Sequence, residues 1–139
     1  MKTATAAKKP AATAAVASPL VALIALAALK KGEQFAGIVH ENDTWHLVVL
    51  LPGELKKGTW KAAQDWAKKQ GGELPTRREQ SLLFANLRDM FERDWYWSGE
   101  QYASDAGYAW YQYFGNGDQY RWYTHYELRS RAVRRLPLE

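Results

Sequence analysis

The chain has 139 residues, of which 47% are hydrophobic, 14% aromatic and 24% charged, a composition typical of one globular domain. It contains no cysteine, which excludes a disulfide framework, thiolate metal ligands and a cysteine nucleophile. The formal charge of +4 belongs to the N-terminal segment, since residues 1–31 hold five lysines and no acidic residue. Residues 32–139 are therefore nearly neutral, and specific binding of nucleic acid is not expected of them.

Residues 1–30 are predicted to form a basic, alanine-rich arm with an apolar segment, separate from the domain that follows. Pro19 suits the first turn of a helix. Four apolar residues then recur at helical spacing: Leu20, Leu23, Ile24 and Ala27. Three hypotheses fit the segment: an extended or helical assembly arm, an export signal, or a membrane anchor. The run is short for a bilayer span and leads into Lys30-Lys31, a poor cleavage site, so the assembly arm is favoured over a membrane location.

Residues 34–40 and 44–51 are predicted as the two strands of a hairpin, because Glu41-Asn42-Asp43 between them has a turn composition. Apolar residues fill both alternating sets of positions in the second strand, so both of its faces should be covered. A helix follows, with Thr59 as its cap and Gly71-Gly72 at its end. Its inward residues are predicted to be Trp60, Ala63, Trp66 and Ala67.

A second helix begins at a capping-box pattern, in which Thr76 and Glu79 bond each other's backbone N–H groups. Arg77, Arg78 and Glu79 are interpreted as the cap and a solvated face, not as a site. The apolar residues that follow at helical spacing are predicted to be core: Leu83, Phe84, Leu87, Met90 and Phe91.

From Trp95 onward the chain is rich in aromatic residues and is predicted to form short strands. Residues 95–99 form a strand that ends in a turn. Residues 108–114 alternate, with Trp110, Gln112 and Phe114 on one face and Tyr111 and Tyr113 on the other. Residues 119–123 return after the hairpin turn at 115–118. Residues 129–136 form the last strand. The order of elements predicts an α+β domain with two helices and a mixed, mainly antiparallel sheet.

The runs GELPTRREQSLLFANL, DWYWSGEQ and AWYQYF, the GNG turn and the ending ELRSRAVRRLP resemble the Lcl-type C-type-lectin-like domain of phage and bacterial surface proteins. The resemblance extends from about residue 31 to residue 137. It implies a C-type-lectin-like fold for residues 31–139, in which the first and last strands pair and both termini emerge together. It also assigns the residues of the quoted motifs to the scaffold, among them 95–98, 109–110, 127–129 and 131–135. The four arginines of the last two ranges are expected to pair with acids.

Aromatic and short polar side chains lie between these motifs, a chemistry suited to adaptable recognition. Their rings can stack on the apolar faces of sugars, while Asp and Asn bond the hydroxyl groups. Related lectin-fold domains are the variable proteins of diversity-generating retroelements, and residues 101–126 have a similar composition. The predicted ligand-binding residues are Tyr102, Asp105, Tyr108, Tyr111, Tyr113, Asn116, Asp118, Tyr120, Trp122, Tyr123 and His125.

The sequence indicates neither a catalytic set nor a metal site. The tripeptides Glu-Pro-Asn, Gln-Pro-Asp and Trp-Asn-Asp, which bind calcium in animal C-type lectins, are absent. His40, His46 and His125 have no metal-type spacing, and the first two are interpreted as packing or hydrogen-bonding residues. We therefore expect a non-enzyme with no metal and no cofactor.

Three functions are compatible with these observations. The first is a virion-associated phage protein that presents a lectin-like face to a carbohydrate or protein on the host surface. Residues 1–30 would bind other virion subunits, and homo-oligomers are expected because multivalency strengthens a weak site. The second is a structural capsid or tail decoration protein, whose arm and aromatic face contact neighbouring subunits. The third is an exported adhesion protein of the bacterial surface or periplasm.

Overall fold

The computed structural model describes residues 19–138, and the predicted arm before residue 19 lies outside this range. The described part contains helices and strands in separate runs, which confirms the predicted α+β class. The helices are α1 (Pro19–Ala27), α2 (Trp60–Lys69) and α3 (Arg77–Leu87), with a 3-10 turn at Arg88–Met90. The strands are β1 (Gln34–Glu41), β2 (Thr44–Leu50), β3 (Leu55–Gly58), β4 (Trp95–Gln101), β5 (Tyr108–Tyr113), β6 (Gln119–Tyr123), β7 (Leu128–Ser130) and β8 (Val133–Pro137).

The strands form two sheets, one with the order β1-β2-β8 and one with the order β3-β7-β4-β5-β6. All pairs are antiparallel except β4 with β7, as predicted for a mixed, mainly antiparallel arrangement. The expected pairing of the first and last strands is wrong, because β2 lies between them. The chain enters this sheet at Gln34 opposite Leu50 and leaves it at Pro137 opposite His46. The two ends of the domain therefore emerge at opposite ends of the sheet.

The predicted last strand is divided into β7 and β8, which belong to different sheets. Arg131 lies at the break, where its guanidinium donates to the backbone oxygens of Leu51 (2.8 Å) and Met90 (2.6 Å). The five-stranded sheet, to which β7 belongs, also contains β3. Sequence reasoning missed β3 because its residues show no apolar alternation. Strand β4 extends past the expected turn to Gln101, with an irregular register after Trp97.

Two apolar clusters form the core. The first joins the three-stranded sheet to α3, and the second joins α2 to the five-stranded sheet. Residues 47–51 are all buried, which confirms that β2 is covered on both faces. The largest buried side chains are Trp97, Tyr96, Phe114, Leu50 and Leu83. Burying a large apolar side chain completely contributes about 1.5–3 kcal/mol to folding.

Both predicted caps are present. Thr59 Oγ1 accepts from the Ala62 N–H at 3.2 Å, and Thr76 Oγ1 accepts from the Glu79 N–H at 3.1 Å. Glu79 Oε1 completes the capping box by accepting from the Thr76 N–H at 2.9 Å. The core prediction is wrong for Met90, because α3 ends at Leu87 and the 3-10 turn leaves Met90 39% exposed.

Candidate functional site

The predicted ligand-binding residues lie on two opposite faces of the β4-β5-β6 sheet, not on one. Tyr111 is paired with Tyr120, and Trp122 with Ala109, so their side chains share one face. Tyr108 is paired with Tyr123 on the opposite face. We call the first group the cavity face and the second the opposite face. The cavity face is formed by Trp95, Tyr111, Tyr113, Tyr120 and Trp122; the opposite face is formed by Tyr102, Tyr108, Trp110 and Tyr123.

The cavity face surrounds an open cavity of about 390 Å³. Trp95 and Tyr111 stack at its base, with ring centroids 4.5 Å apart and an interplanar angle of 13°. Trp122 meets Trp95 edge to face at 5.7 Å, on the side of the core. Tyr120 is 57% exposed at the mouth. The lining residues are Trp95, Tyr111, Tyr113, Asp118, Gln119 and Tyr120.

Tyr111 contributes a hydrogen-bonding hydroxyl that stays neutral. Burial raises the pKa of Tyr111 above its ordinary value, and the nearby Tyr120 and Asp118 raise this pKa further. The phenol therefore remains protonated at neutral pH. A base of flat, neutral aromatic rings is an apolar surface on which a sugar ring can stack.

Asp118 is the carboxylate at the rim, and the turn that carries it is fixed in place. Asn116 Nδ2 donates to Asp118 Oδ2 at 3.1 Å, while Asn116 Oδ1 accepts from the Asp118 N–H at 2.9 Å. Gly117 has a φ of 87° and packs on the ring of Phe84. Phe114 is buried beneath the turn. The turn thus presents an ordered, solvent-exposed carboxylate to the cavity.

Gln119 also lines the cavity, but its side chain is engaged with α3. Its Nε2 donates to the Arg77 backbone oxygen (2.7 Å) and to Gln112 Oε1 (2.8 Å), and its Oε1 accepts from Arg77 Nε at 3.0 Å. Gln112 in turn donates to the Gln80 backbone oxygen at 2.8 Å. These amides therefore hold β5 and β6 against α3 and set the position of the cavity.

The opposite face is a row of rings with two guanidinium groups among them. The guanidinium of Arg77 lies 3.5 Å from the Trp110 ring centroid, and that of Arg121 lies 4.7 Å from the Tyr102 centroid. The ring centroids of Tyr108 and Tyr123 are 4.6 Å apart. The neighbouring phenol of Tyr123 raises the pKa of Tyr108, and a smaller part of this increase comes from desolvation.

The remaining predicted residues lie in loops beside the opposite face. His125 contacts the rings of Tyr126 at 4.9 Å and Tyr123 at 5.7 Å. Asp105 Oδ1 accepts from the Gly107 N–H at 2.8 Å, which stabilises the loop between β4 and β5. Neither residue lines the cavity.

Sequence reasoning missed Trp95 as a cavity residue, because the motif match assigned it to the scaffold. Trp95 is opposite Tyr113 in the register of β4 and β5, and so it shares the face of the tyrosines. The alternation along residues 95–99 could have shown this if the pairing of β4 with β5 had been assigned. Tyr96, Trp97 and Ser98 from the same motif are buried, as scaffold residues should be.

A second cluster brings Glu41, His46 and Glu79 together, with potential ligand atoms within 4.8 Å of one another. The interpretation of Glu79 as part of a solvated face is wrong, since its side chain is fully buried. Arg135 donates to both of its oxygens, at 2.7 and 2.8 Å, and His46 Nε2 lies 2.7 Å from Oε2. Because Thr76 also donates to Oε1, the oxygens of Glu79 are occupied. We interpret the cluster as a structural network.

The electrostatics of Glu79 agree with this interpretation. Burial works to raise the pKa of Glu79, but the hydrogen bonds and charge of Arg135, with Thr76 and His46, outweigh burial and lower this pKa. His46 is thus a hydrogen-bonding residue, as predicted. His40 stacks on Trp45 with centroids 4.5 Å apart, which confirms its packing role.

The arginines near the C-terminus pair mostly with acids, as expected. Arg129 binds Glu54 and Asp94, Arg134 binds Glu33, and Arg135 binds Glu73 and Glu79. Arg131 is the exception, because it donates to backbone oxygens. These pairs connect the last two strands to segments far away in the chain.

Helix α1 exposes an apolar surface. Of the predicted assembly residues, Leu20, Leu23 and Ile24 are each more than half exposed, and Ala27 is exposed. Arg134 Nη2 donates to the Ala28 backbone oxygen at 2.9 Å, which ties the end of the helix to β8. Within residues 19–138, no helix is long and apolar enough to cross a bilayer.

Comparison of the sequence with models of known protein families gives no match. A comparison with curated proteins also finds no similar sequence.

Proposed function

We propose that the chain is a non-enzymatic carbohydrate-binding module and that its ligand site is the cavity of the cavity face. The observation that carries this proposal is the open cavity with a stacked Trp95–Tyr111 base, an exposed Tyr120 at its mouth and the Asp118 carboxylate at its rim. A cavity of about 390 Å³ lies in the range of small-ligand sites. It suits a ligand about the size of a mono- or disaccharide.

The chemistry of the lining matches the two surfaces of a sugar. The C–H faces of a pyranose ring are apolar and stack on aromatic rings, which Tyr120 offers with little loss of side-chain entropy. The equatorial hydroxyl groups need acceptors and donors. Asp118 provides an acceptor that the Asn116 side chain already orients, so little ordering is needed when the ligand binds.

The wider role follows from the motifs in residues 31–137 that resemble the Lcl-type C-type-lectin-like domain. On this basis we assign the domain a C-type-lectin-like fold and a place on a phage virion, where it presents the cavity to a carbohydrate, or alternatively a protein, of the host surface. Residues 1–30 attach it to other virion subunits. Display in several copies increases the avidity of a weak site.

The test is a panel of labelled glycans applied to the full chain and to two tyrosine variants. Tyr120→Ala removes the exposed ring of the cavity and should weaken binding at least about tenfold, equivalent to about 1.4 kcal/mol. Tyr126→Ala is the matched control, because Tyr126 is 45% exposed and does not line the cavity. Its affinity should equal that of the wild type, and circular dichroism should show that both variants are folded.

Two results would contradict the proposal. The first is that no glycan of the panel binds. The second is that Tyr126→Ala loses as much affinity as Tyr120→Ala, because binding would then occur elsewhere on the aromatic surfaces.

The exposed apolar side chains of α1 favour a second candidate function, that of a structural capsid or tail decoration protein. In that case the cavity face would be covered by a neighbouring subunit, and Tyr120 would become protected from solvent upon assembly. An exported bacterial adhesion protein is the remaining alternative. Chemical labelling of Tyr120 in the assembled particle distinguishes display, which leaves the ring reactive, from decoration, which does not.

A further inference from the structure

The lining of the cavity contains one acidic side chain and no basic one. Six residues line the cavity: four are aromatic, one is Gln119, and the sixth is Asp118. Among the described residues, no lysine or arginine belongs to this lining. The cavity therefore presents a negative charge to its ligand, with no cation in its wall to neutralise that charge.

Two cations lie near the cavity without lining it. Arg121 is opposite Trp110 in the register of β5 and β6, so its side chain belongs to the opposite face of the sheet. The guanidinium of Arg77 lies 3.5 Å from the Trp110 ring centroid, and its Nε donates to Gln119 Oε1. Although the guanidinium of Arg121 is 5.2 Å from the Tyr120 centroid, neither arginine borders the space that a ligand would fill.

One oxygen of the Asp118 carboxylate is available to a ligand. Asn116 Nδ2 donates to Oδ2, whereas no donor among the described residues bonds Oδ1. The charge also acts on the base of the cavity. Burial raises the pKa of Tyr111 most, and the neighbouring Tyr120 and Asp118 raise this pKa further. A cation in the cavity would be attracted by the same charge and could donate a hydrogen bond to Oδ1.

The aromatic lining favours the same kind of ligand. The faces of Trp and Tyr rings attract an ammonium group that lies within about 6 Å of the ring centroid. Trp95 and Tyr111 form the base of the cavity, and Tyr120 offers an exposed ring at its mouth. A carboxylate among aromatic rings suits an ammonium group, because the carboxylate accepts its N–H bonds while the rings stabilise its charge.

We propose that the cavity selects saccharides that carry a protonated amine, such as glucosamine units, and that Asp118 binds the ammonium group. This inference rests on the proposed function and names its ligand class. The sugar ring stacks on Tyr120, and the ammonium group takes the place of a hydroxyl group as the donor to Oδ1. Hydrogen bonds between charged groups are stronger than those between neutral ones, which favours the amino sugar over its hydroxyl counterpart.

The experiment compares glucosamine oligomers with cello-oligosaccharides, which have the same rings and linkages and a hydroxyl group in place of each amine. At a pH that keeps the amine protonated, the full chain should bind the glucosamine oligomers at least about tenfold more tightly, with an affinity that falls as salt rises. Asp118→Asn keeps the shape of the side chain and should remove this preference. Asp105→Asn is the matched control, since Asp105 is an exposed acid outside the cavity.

The outcomes separate this inference from the function on which it rests. If cello-oligosaccharides bind as tightly as glucosamine oligomers and Tyr120→Ala abolishes binding, the carbohydrate site stands and the selection of amino sugars is overturned. If Asp105→Asn removes the preference as fully as Asp118→Asn, the effect is one of net charge and the inference also fails. If no glycan binds at all, the proposed function itself fails.

Choline, an ammonium compound without a sugar ring, distinguishes the two parts of the ligand. It should bind at least about tenfold more weakly than the glucosamine oligomers, because it offers no sugar ring to Tyr120 and no N–H group to Asp118. Equal affinity for choline would show that the cavity recognises the ammonium group alone, which would overturn the assignment of amino sugars as its ligands.

Discussion

Glu79 is a buried carboxylate whose negative charge is stabilised from three directions. Arg135 approaches from β8, His46 from β2 and the Thr76 N–H from the start of α3. The side chain therefore joins the three-stranded sheet to the helix that supports the aromatic strands. Removing one partner of such a buried pair leaves the other without compensation, which costs about 3 kcal/mol or more.

We predict that Glu79→Gln lowers the free energy of unfolding by about 3 kcal/mol at pH 7. Because the folded-state pKa of Glu79 lies below its ordinary value of 4.5, its stabilising effect is complete above about pH 4.5 and is lost as pH falls through the folded-state pKa. The difference between wild type and variant should thus shrink in acid. Urea denaturation at several pH values measures it.

The control for this prediction is Glu127→Gln, which changes an exposed carboxylate. This variant should match the wild type within about 0.5 kcal/mol at pH 7. If Glu79→Gln behaved in the same way as this control, the network would contribute little to stability. A difference between wild type and Glu79→Gln that grew in acid would show that another group dominates.

Individual residues also show where sequence reasoning succeeds and fails. Local patterns predicted that Thr59 and Thr76 cap their helices and that both faces of β2 are buried. Both predictions succeed because caps and strand alternation depend on neighbours in the chain. The burial of Glu79 could not be predicted in this way. Its partners His46 and Arg135 are 33 and 56 residues distant, and only the packing of β2 and β8 against α3 brings them together.

At the level of elements, the β5–β6 hairpin positions cavity residues, and Gly115 in its turn leaves room for the ring of Tyr113. A Cβ atom at Gly115 would lie 2.4 Å from ring atoms of Tyr113, so the ring covers this glycine closely. Tyr113 lines the cavity. The clash would involve the far end of a flexible side chain, which can move without a shift of the backbone.

We predict that Gly115→Ala displaces the Tyr113 ring and weakens glycan binding about tenfold, while the free energy of unfolding changes by no more than about 1 kcal/mol. Gly107→Ala is the control, because its Cβ would lie 3.3 Å from Asp105 Oδ1 and outside the cavity. Glycan titration and urea denaturation of both variants provide the measurement. Unchanged affinity in Gly115→Ala would mean that Tyr113 does not shape the site.

Element order and element pairing differ in how far the sequence predicts them. The alternation of residues 108–114 predicted that Tyr111 and Tyr113 share a face, and the register confirms it. The same alternation places Tyr108 and Tyr123 on the opposite face. The sequence analysis nevertheless grouped all four tyrosines into one ligand-binding surface, because they share an aromatic composition. The break between β7 and β8 is set by Arg131, whose acceptors Leu51 and Met90 lie in distant segments.

The described part of the chain combines two sheets with helix α1, on which Leu23, Ile24 and Leu26 are exposed. The sequence predicted the α+β class from the order of strands and helices, but it could not reveal that β2 lies between β1 and β8. The pairing of β2 with β8 depends on contacts between residues that are far apart in the chain. Exposed apolar side chains on α1 are unfavourable for an isolated chain, and they are typical of a surface that another protein covers.

We therefore predict that α1 mediates association, and that Leu23→Asp combined with Ile24→Asp makes the protein monomeric. Sedimentation velocity over a range of concentrations should show oligomers for the wild type and monomers for the variant. Met90→Asp, which adds a charge at an exposed apolar residue of the domain, should still associate.

Since the cavity lies in another element, the double variant of α1 should keep its affinity for a monovalent glycan and lose avidity on a multivalent surface. A wild type that stays monomeric and attaches to no other virion subunit would contradict the role of α1, and a variant with lower monovalent affinity would show that α1 and the cavity are coupled.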